Sequence, residues 1–213
     1  MYRCLLILLL SVLSLPVFSQ YNIKKMMEEG KRTFDQGYYV ASMQIFTRIV
    51  ALKPHLYEAW YLMALSKYHL EDYKGAEEDC KVALALQPYV SEIFELYGMV
   101  CICEEKYDSA FVAYTQAAQI NPDNRELWYN KAYCLYMQND FSGAQRALDY
   151  IIKRWPTFQE ANELAQEIKS NKRPKQMPRK VLNKSVLNLS SLSKKTVTIQ
   201  QYNFLADFQH RSR

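Results

Sequence analysis

The side chains that could carry covalent or metal chemistry are few, and their spacing does not suit it. The 213 residues include five Cys and three His. Cys4 falls in an apolar opening stretch, while Cys80, Cys101, Cys103 and Cys134 fall in the body of the chain. No CxxC occurs and no Cys/His set has zinc-ligand spacing, so these thiols read as small buried apolar groups. Cys101 and Cys103 stand two apart on a predicted helix, point to different faces and cannot readily pair with each other. His55, His69 and His210 are scattered. There is no GxSxG, no HExxH and no kinase-type set, and none of the five Gly builds a phosphate-cradling loop. Adjacent carboxylates such as Glu77-Glu78 read as solvated helix faces. No residue is assigned a catalytic role, and no metal or cofactor is expected. What remains is binding chemistry: 17 Tyr, and three carboxylates, Glu58, Glu92 and Glu126, that recur 34 residues apart.

The elements that would position them share that interval. Pro54, Pro88, Pro122 and Pro156 are each separated by 34 residues, the length of a helix–turn–helix repeat. Aligned on the prolines, the chain divides into blocks 23–56, 57–90, 91–124 and 125–158. Position four holds Met26, Trp60, Phe94 and Trp128; position eight holds Gly30, Ala64, Gly98 and Ala132. Position 17 holds Tyr39, Tyr73, Tyr107 and Phe141; position 20 holds Ser42, Ala76, Ala110 and Ala144. Small residues at eight and 20 let two helices cross closely, and large ones at four, 17 and 24 fill the space between repeats. Spacings of three, four and seven place them on single helical faces. Proline at position 32 closes the second helix of each block. The stretch Thr157–Ser170 follows, with Thr157 and Glu160 in a capping-box pattern and Ala161, Leu164, Ala165 and Ile168 on one face. It reads as a helix capping the last repeat.

This column pattern resembles the tetratricopeptide repeat (TPR) family over four full periods. Met26 in place of a large aromatic and Ser42 in place of Ala depart from it in the first block. The resemblance implies an all-α, right-handed superhelical solenoid of antiparallel helix pairs, whose first helices line a concave groove. It also implies that the groove is reached from a few positions of each repeat. Carried onto this chain, the partner-binding residues are Lys24, Met27, Lys31 and Phe34 in the first block and Glu58, Tyr61, Leu65, Tyr68 and His69 in the second. The third contributes Glu92, Glu95, Met99 and Ile102, and the fourth Glu126, Tyr129, Asn130, Tyr133 and Tyr136. Glu58, Glu92 and Glu126 would form an acidic row along one rim of an aromatic floor. Family members that grip a chaperone tail's free carboxylate use basic and amide groups. The second and third blocks offer acids and apolar groups instead, so no carboxylate clamp is expected. The expected partner is a protein or peptide that is apolar or aromatic and carries basic groups.

Both ends differ from the middle. Met1–Ser19 has Arg3, an apolar run from Cys4 to Phe18, and Val17 and Ser19 at the −3 and −1 positions of a cleavage site before Gln20. That is the layout of a secretory signal peptide. The run falls short of the ~20 residues a spanning helix needs. Its ending resembles bacterial export signals, so the expectation is an exported, periplasmic protein, or otherwise a secreted one. From Gln20 to Ser170 there are 16 Lys+Arg against 21 Asp+Glu, whereas residues 171–213 hold 10 against one. The second segment, with Pro174, Pro178 and no Gly, reads as a basic disordered tail. Its charge would allow contact with an anionic membrane surface. Nucleic acid, which the charge alone would also suit, is rarely met by an exported protein and is not the expected partner. The organisation expected is thus a signal peptide (1–19), a TPR domain (20–170, capping helix 157–170) and the tail (171–213). A binding scaffold is the first functional expectation. The alternative is a structural subunit of an envelope or secretion assembly that binds through its convex face and tail.

Overall fold

The computed structural model describes residues 22–170; the expected leader (1–19) and basic tail (171–213) lie outside the described residues. Within them the chain folds as α1 (Ile23–Asp35), α2 (Tyr39–Leu52), α3 (Tyr57–His69), α4 (Tyr73–Leu86), α5 (Ser91–Cys103), α6 (Tyr107–Ile120), α7 (Arg125–Met137), α8 (Phe141–Arg154) and α9 (Gln159–Lys169), with no strand among the described residues. Each helix packs chiefly on its neighbours in sequence. The expected all-α solenoid of helix pairs is the fold found: α1–α2, α3–α4, α5–α6 and α7–α8 stack in order, and α9 covers the end. Helix starts and ends recur at the same 34-residue interval as the prolines.

The turn inside each pair is a repeated device. The residue at position 15 adopts a left-handed backbone every time: Gly37 (φ 83°), Glu71 (φ 63°), Glu105 (φ 59°) and Asn139 (φ 65°). The next N–H then reaches back to close the first helix, as in Asp72 N to Lys67 O (3.0 Å), Lys106 N to Cys101 O (2.8 Å) and Asp140 N to Leu135 O (2.9 Å). These bonds satisfy carbonyls that the helix end would otherwise leave bare. Asp72 and Asp140 cap the helices that follow by accepting from the N–H groups of Gly75 (3.0 Å) and Gly143 (2.8 Å). At the proline turns, position four supplies a tie. Trp60 Nε1 donates to Pro54 O at 2.8 Å, Trp128 Nε1 to Pro122 O at 3.0 Å, and Asn162 Nδ2 to Pro156 O at 3.3 Å.

The core runs the length of the stack, and its volumes compensate pair by pair. A Cβ on Gly30 would stand 2.7 Å from the Phe46 ring, and one on Gly98 would stand 2.8 Å from the Tyr114 ring. Where position eight is Ala (Ala64, Ala132), position 24 is smaller: Cys80 and Leu148. All four position-24 side chains are fully buried, so a wide ring at 24 requires glycine at eight.

The last helix starts later than Thr157 and without the capping box. α9 begins at Gln159 with Phe158 as its N-cap, and no side chain caps it. Phe158 is instead buried against Tyr129, 5.7 Å between ring centroids, with the Arg125 guanidinium 4.5 Å above its ring. Burial of that ring fixes the entry of the chain into the helix and overrides the local capping pattern.

Candidate partner-binding face

The first helices of the four pairs, α1, α3, α5 and α7, carry the residues expected to meet a partner, and burial divides them sharply. Lys24 is exposed; Met27, Lys31, Glu58, His69, Glu92, Glu126 and Tyr129 are half-buried. Phe34, Tyr61, Leu65, Tyr68, Glu95, Met99, Ile102, Asn130, Tyr133 and Tyr136 are buried. An open aromatic floor is therefore not what these rings build. His69 stacks on Tyr39 with centroids 4.4 Å apart, and Phe34 meets both at 5.1 and 5.4 Å. Tyr68 packs on Tyr73 at 5.8 Å, and Tyr136 on Phe141 at 5.3 Å. The contacts of Phe34 with Tyr39, Tyr68 with Tyr73 and Tyr136 with Phe141 join the two helices of one pair, while His69 ties the first pair to the second, so the aromatic surface is spent on internal packing. The physical reason is crowding: the rings at position 12 meet the position-17 ring of the second helix in their own pair before they reach solvent.

The polar part of the face has no such closure. Glu95 lies on α5 with 4 % of its surface exposed, and its Oε1 is buried with no hydrogen-bond partner. Burial, followed by repulsion from Glu92 and Glu126, pushes its carboxyl up to about 8. Tyr61 of α3 is 1 % exposed; its hydroxyl is buried without a partner and feels both Glu95 and Glu92. On α7, both amide atoms of the fully buried Asn130 are likewise without partners, one turn beyond Glu126. Oε2 of Glu58 is buried and unbonded, and burial together with Glu58 pushes the Tyr57 phenol up to about 12. Tyr114, from α6, also lies within electrostatic range of Glu95. Tyr57 and Tyr114 had no signal in the sequence that set them apart from core positions.

Positive charge is sparse here. Lys31 lies near Glu58, where burial lowers its pKa despite the carboxylates around it. Arg125 Nε bonds Glu126 Oε1 at 3.3 Å while its guanidinium lies over Phe158. Burial pushes the Cys101 thiol up to about 11 and raises those of Cys80 and Cys134, so these three are poor nucleophiles at neutral pH. Among the described residues no group of three His, Cys, Asp or Glu could hold a metal ion, and no helix is long and apolar enough to cross a membrane.

Stacked helix pairs with a turn repeated every 34 residues give the chain the fold of solved tetratricopeptide-repeat solenoids. Residues 104–168 match the tetratricopeptide repeat family model. Among solved structures, the MamA RS-1 ArsTM double mutant is 14% identical, with 70% of this chain and 84% of that one covered at a TM-score of 0.66. YrrB, described as a TPR protein with an unusual peptide-binding site, is 17% identical, with 70% and 76% covered at a TM-score of 0.63. The N-terminal acetyltransferase A complex subunit-like protein C418.02 of Schizosaccharomyces pombe is 26% identical over 100 residues, 47% of this chain and 14% of that protein. The chain spans less than half the length of the curated relatives it matches.

Proposed function

We propose that the chain is an exported TPR scaffold that binds a protein or peptide partner along the face of α1, α3, α5 and α7. The observation that supports this reading is the concentration of one sign of charge there. Glu58, Glu92, Glu95 and Glu126 come from three successive first helices and lie within electrostatic range of shared neighbours. A folded chain gains nothing from gathering acidic groups on one face, since like charges repel and Glu95 is held protonated in part by Glu92 and Glu126. A basic partner relieves that repulsion and is steered toward the face. Met27, His69 and Tyr129 on the same set of helices stay half-buried and would add apolar contact. YrrB supports peptide binding as the task of such a face by its fold and description alone.

Paired alanine replacement of the buried tyrosines would unfold repeats before it reported on binding. The test instead replaces the half-buried Glu58, Glu92 and Glu126 together by Gln and asks which proteins the variant captures from an envelope extract. Loss of the partners held by the wild type, with helicity unchanged by circular dichroism, is the expected result. Retention by this variant, with loss only when residues 171–213 are deleted, would overturn the reading in favour of a structural subunit working through its convex face and tail. Export is part of the proposal, and N-terminal sequencing of the secreted or periplasmic product should begin at Gln20.

A further inference from the structure

We propose that Glu95, with Tyr61 and Asn130, forms a seat within this face for a single cationic side chain of the bound partner, and that a guanidinium fits it best. The inference rests on the peptide-binding reading above and narrows it to one recognised group.

Three adjacent first helices each bring a buried polar group that the chain itself leaves incomplete. Glu95 contributes a carboxylate oxygen, Tyr61 a hydroxyl and Asn130 an amide with neither end bonded. Burying such groups without partners is costly, and native chains seldom do it where nothing completes them. Glu95 takes part in none of the ion pairs among the described residues. Arg125 is held by Glu126 and Phe158, and Lys31 sits by Glu58 at the other end. The charged and titratable groups facing Glu95 are Glu92 on its own helix, Tyr61 on α3, Tyr114 on α6 and Glu126 on α7. Every ionic one of them is negative. Glu92 and Glu126, both half-buried, lie within electrostatic range of Glu95 and add to the attraction for a cation.

The acceptors favour a planar group with several donors. A carboxylate, a phenol oxygen and an amide oxygen from three helices together supply several acceptors. Guanidinium presents five N–H donors in a fixed fork, whereas an ammonium is a compact and strongly hydrated point charge. Guanidinium is also the more weakly hydrated of the two, which lowers the loss on entering a buried seat. When the cation binds, the Glu95 proton must leave. Affinity should then rise by about tenfold per pH unit up to about pH 8 and level off above it.

The experiment pans a random heptapeptide display library on the full chain and on its Glu95→Gln variant. Arginine should be enriched at one fixed position with the wild type and not with the variant. The strongest peptide is then synthesised with arginine or with neutral, near-isosteric citrulline at that position and titrated calorimetrically at several pH values. Citrulline should weaken binding to the wild type at least about tenfold, and binding to Glu95→Gln by less than about twofold. Binders without a fixed basic position, or equal affinity of the two peptides for the wild type, would overturn the seat while leaving the peptide-binding face intact. That result would mean the unpaired groups hold water only. A library with no binders at all would overturn both readings. The citrulline comparison uses the wild-type protein and so stands even if Glu95→Gln fails to fold.

Discussion

Replacing Glu95 by Gln should stabilise the fold, and by an amount that grows with pH. Most carboxylates in folded proteins are held below their unfolded pKa and stabilise as pH rises. Glu95 is raised from 4.5 to about 8 by burial and by Glu92 and Glu126. Between those values the native state holds a proton that the unfolded chain has released, so wild-type stability falls with rising pH. Below about pH 4.5 both states carry the proton, and the glutamate behaves like glutamine. The full displacement corresponds to about 5 kcal/mol at ~1.36 kcal/mol per pH unit. Water reaching the part of Glu95 still exposed, and relaxation of the surrounding dipoles, reduce this to about 2–4 kcal/mol. Urea denaturation of both proteins from pH 5 to 9 checks it. The Gln variant should exceed the wild type by less than about 1 kcal/mol at the acid end and by about 2–4 kcal/mol at the alkaline end. Other titrating groups are common to both proteins and largely cancel in the difference. A difference independent of pH, or a variant less stable at pH 9, would refute the placement of Glu95 as a buried, repelled carboxyl.

Gly98→Ala should destabilise by about 1–3 kcal/mol, because the added methyl meets the buried Tyr114 ring at 2.8 Å and outweighs the ~1 kcal/mol of helix propensity gained. Adding Tyr114→Leu should recover part of that loss in thermal melts, since Ala132 and Leu148 already coexist at the same two positions; an additive double variant would argue against the compensation. Glu105→Gly should instead raise stability by about 0.5–1 kcal/mol, because φ at this turn is 59° and glycine enters that region without a Cβ clash. An unchanged melting temperature would show that the turn carries no such strain.

The repeat frame was legible because the demand that creates it recurs. Proline at position 32, a small residue at eight or 20 and a wide one at 17 are each needed once per pair, so a single chain displays the requirement four times. What stood outside the frame was harder to read. Glu71 and Glu105 occupy left-handed turns with no local sign of it, because the pairing of the helices imposes the backbone and the residue type only adapts. Thr157 and Glu160 carried a clear capping signal, yet the helix starts at Gln159 with Phe158, not Thr157, as its N-cap, because Phe158 has a ring to bury on Tyr129. Depth was the least legible quantity. Position numbers say which way Tyr61, Glu95 and Glu126 point, but how far each sinks depends on how closely three neighbouring helices approach.

The binding chemistry, even so, left one trace in the columns. Position five holds Met27, Tyr61 and Tyr129 in three blocks, and a carboxylate, Glu95, only in the third. Packing alone would favour another apolar side chain there, as it does in the other repeats. A carboxylate buried as deeply as Tyr61 raises the energy of the empty fold, and two more carboxylates within electrostatic range raise it further. In a periodic protein, the residues that obey a column answer to the stack. A costly exception at one site is what the proposed cation of a partner would account for, since it has the sign that Glu95, Glu92 and Glu126 lack.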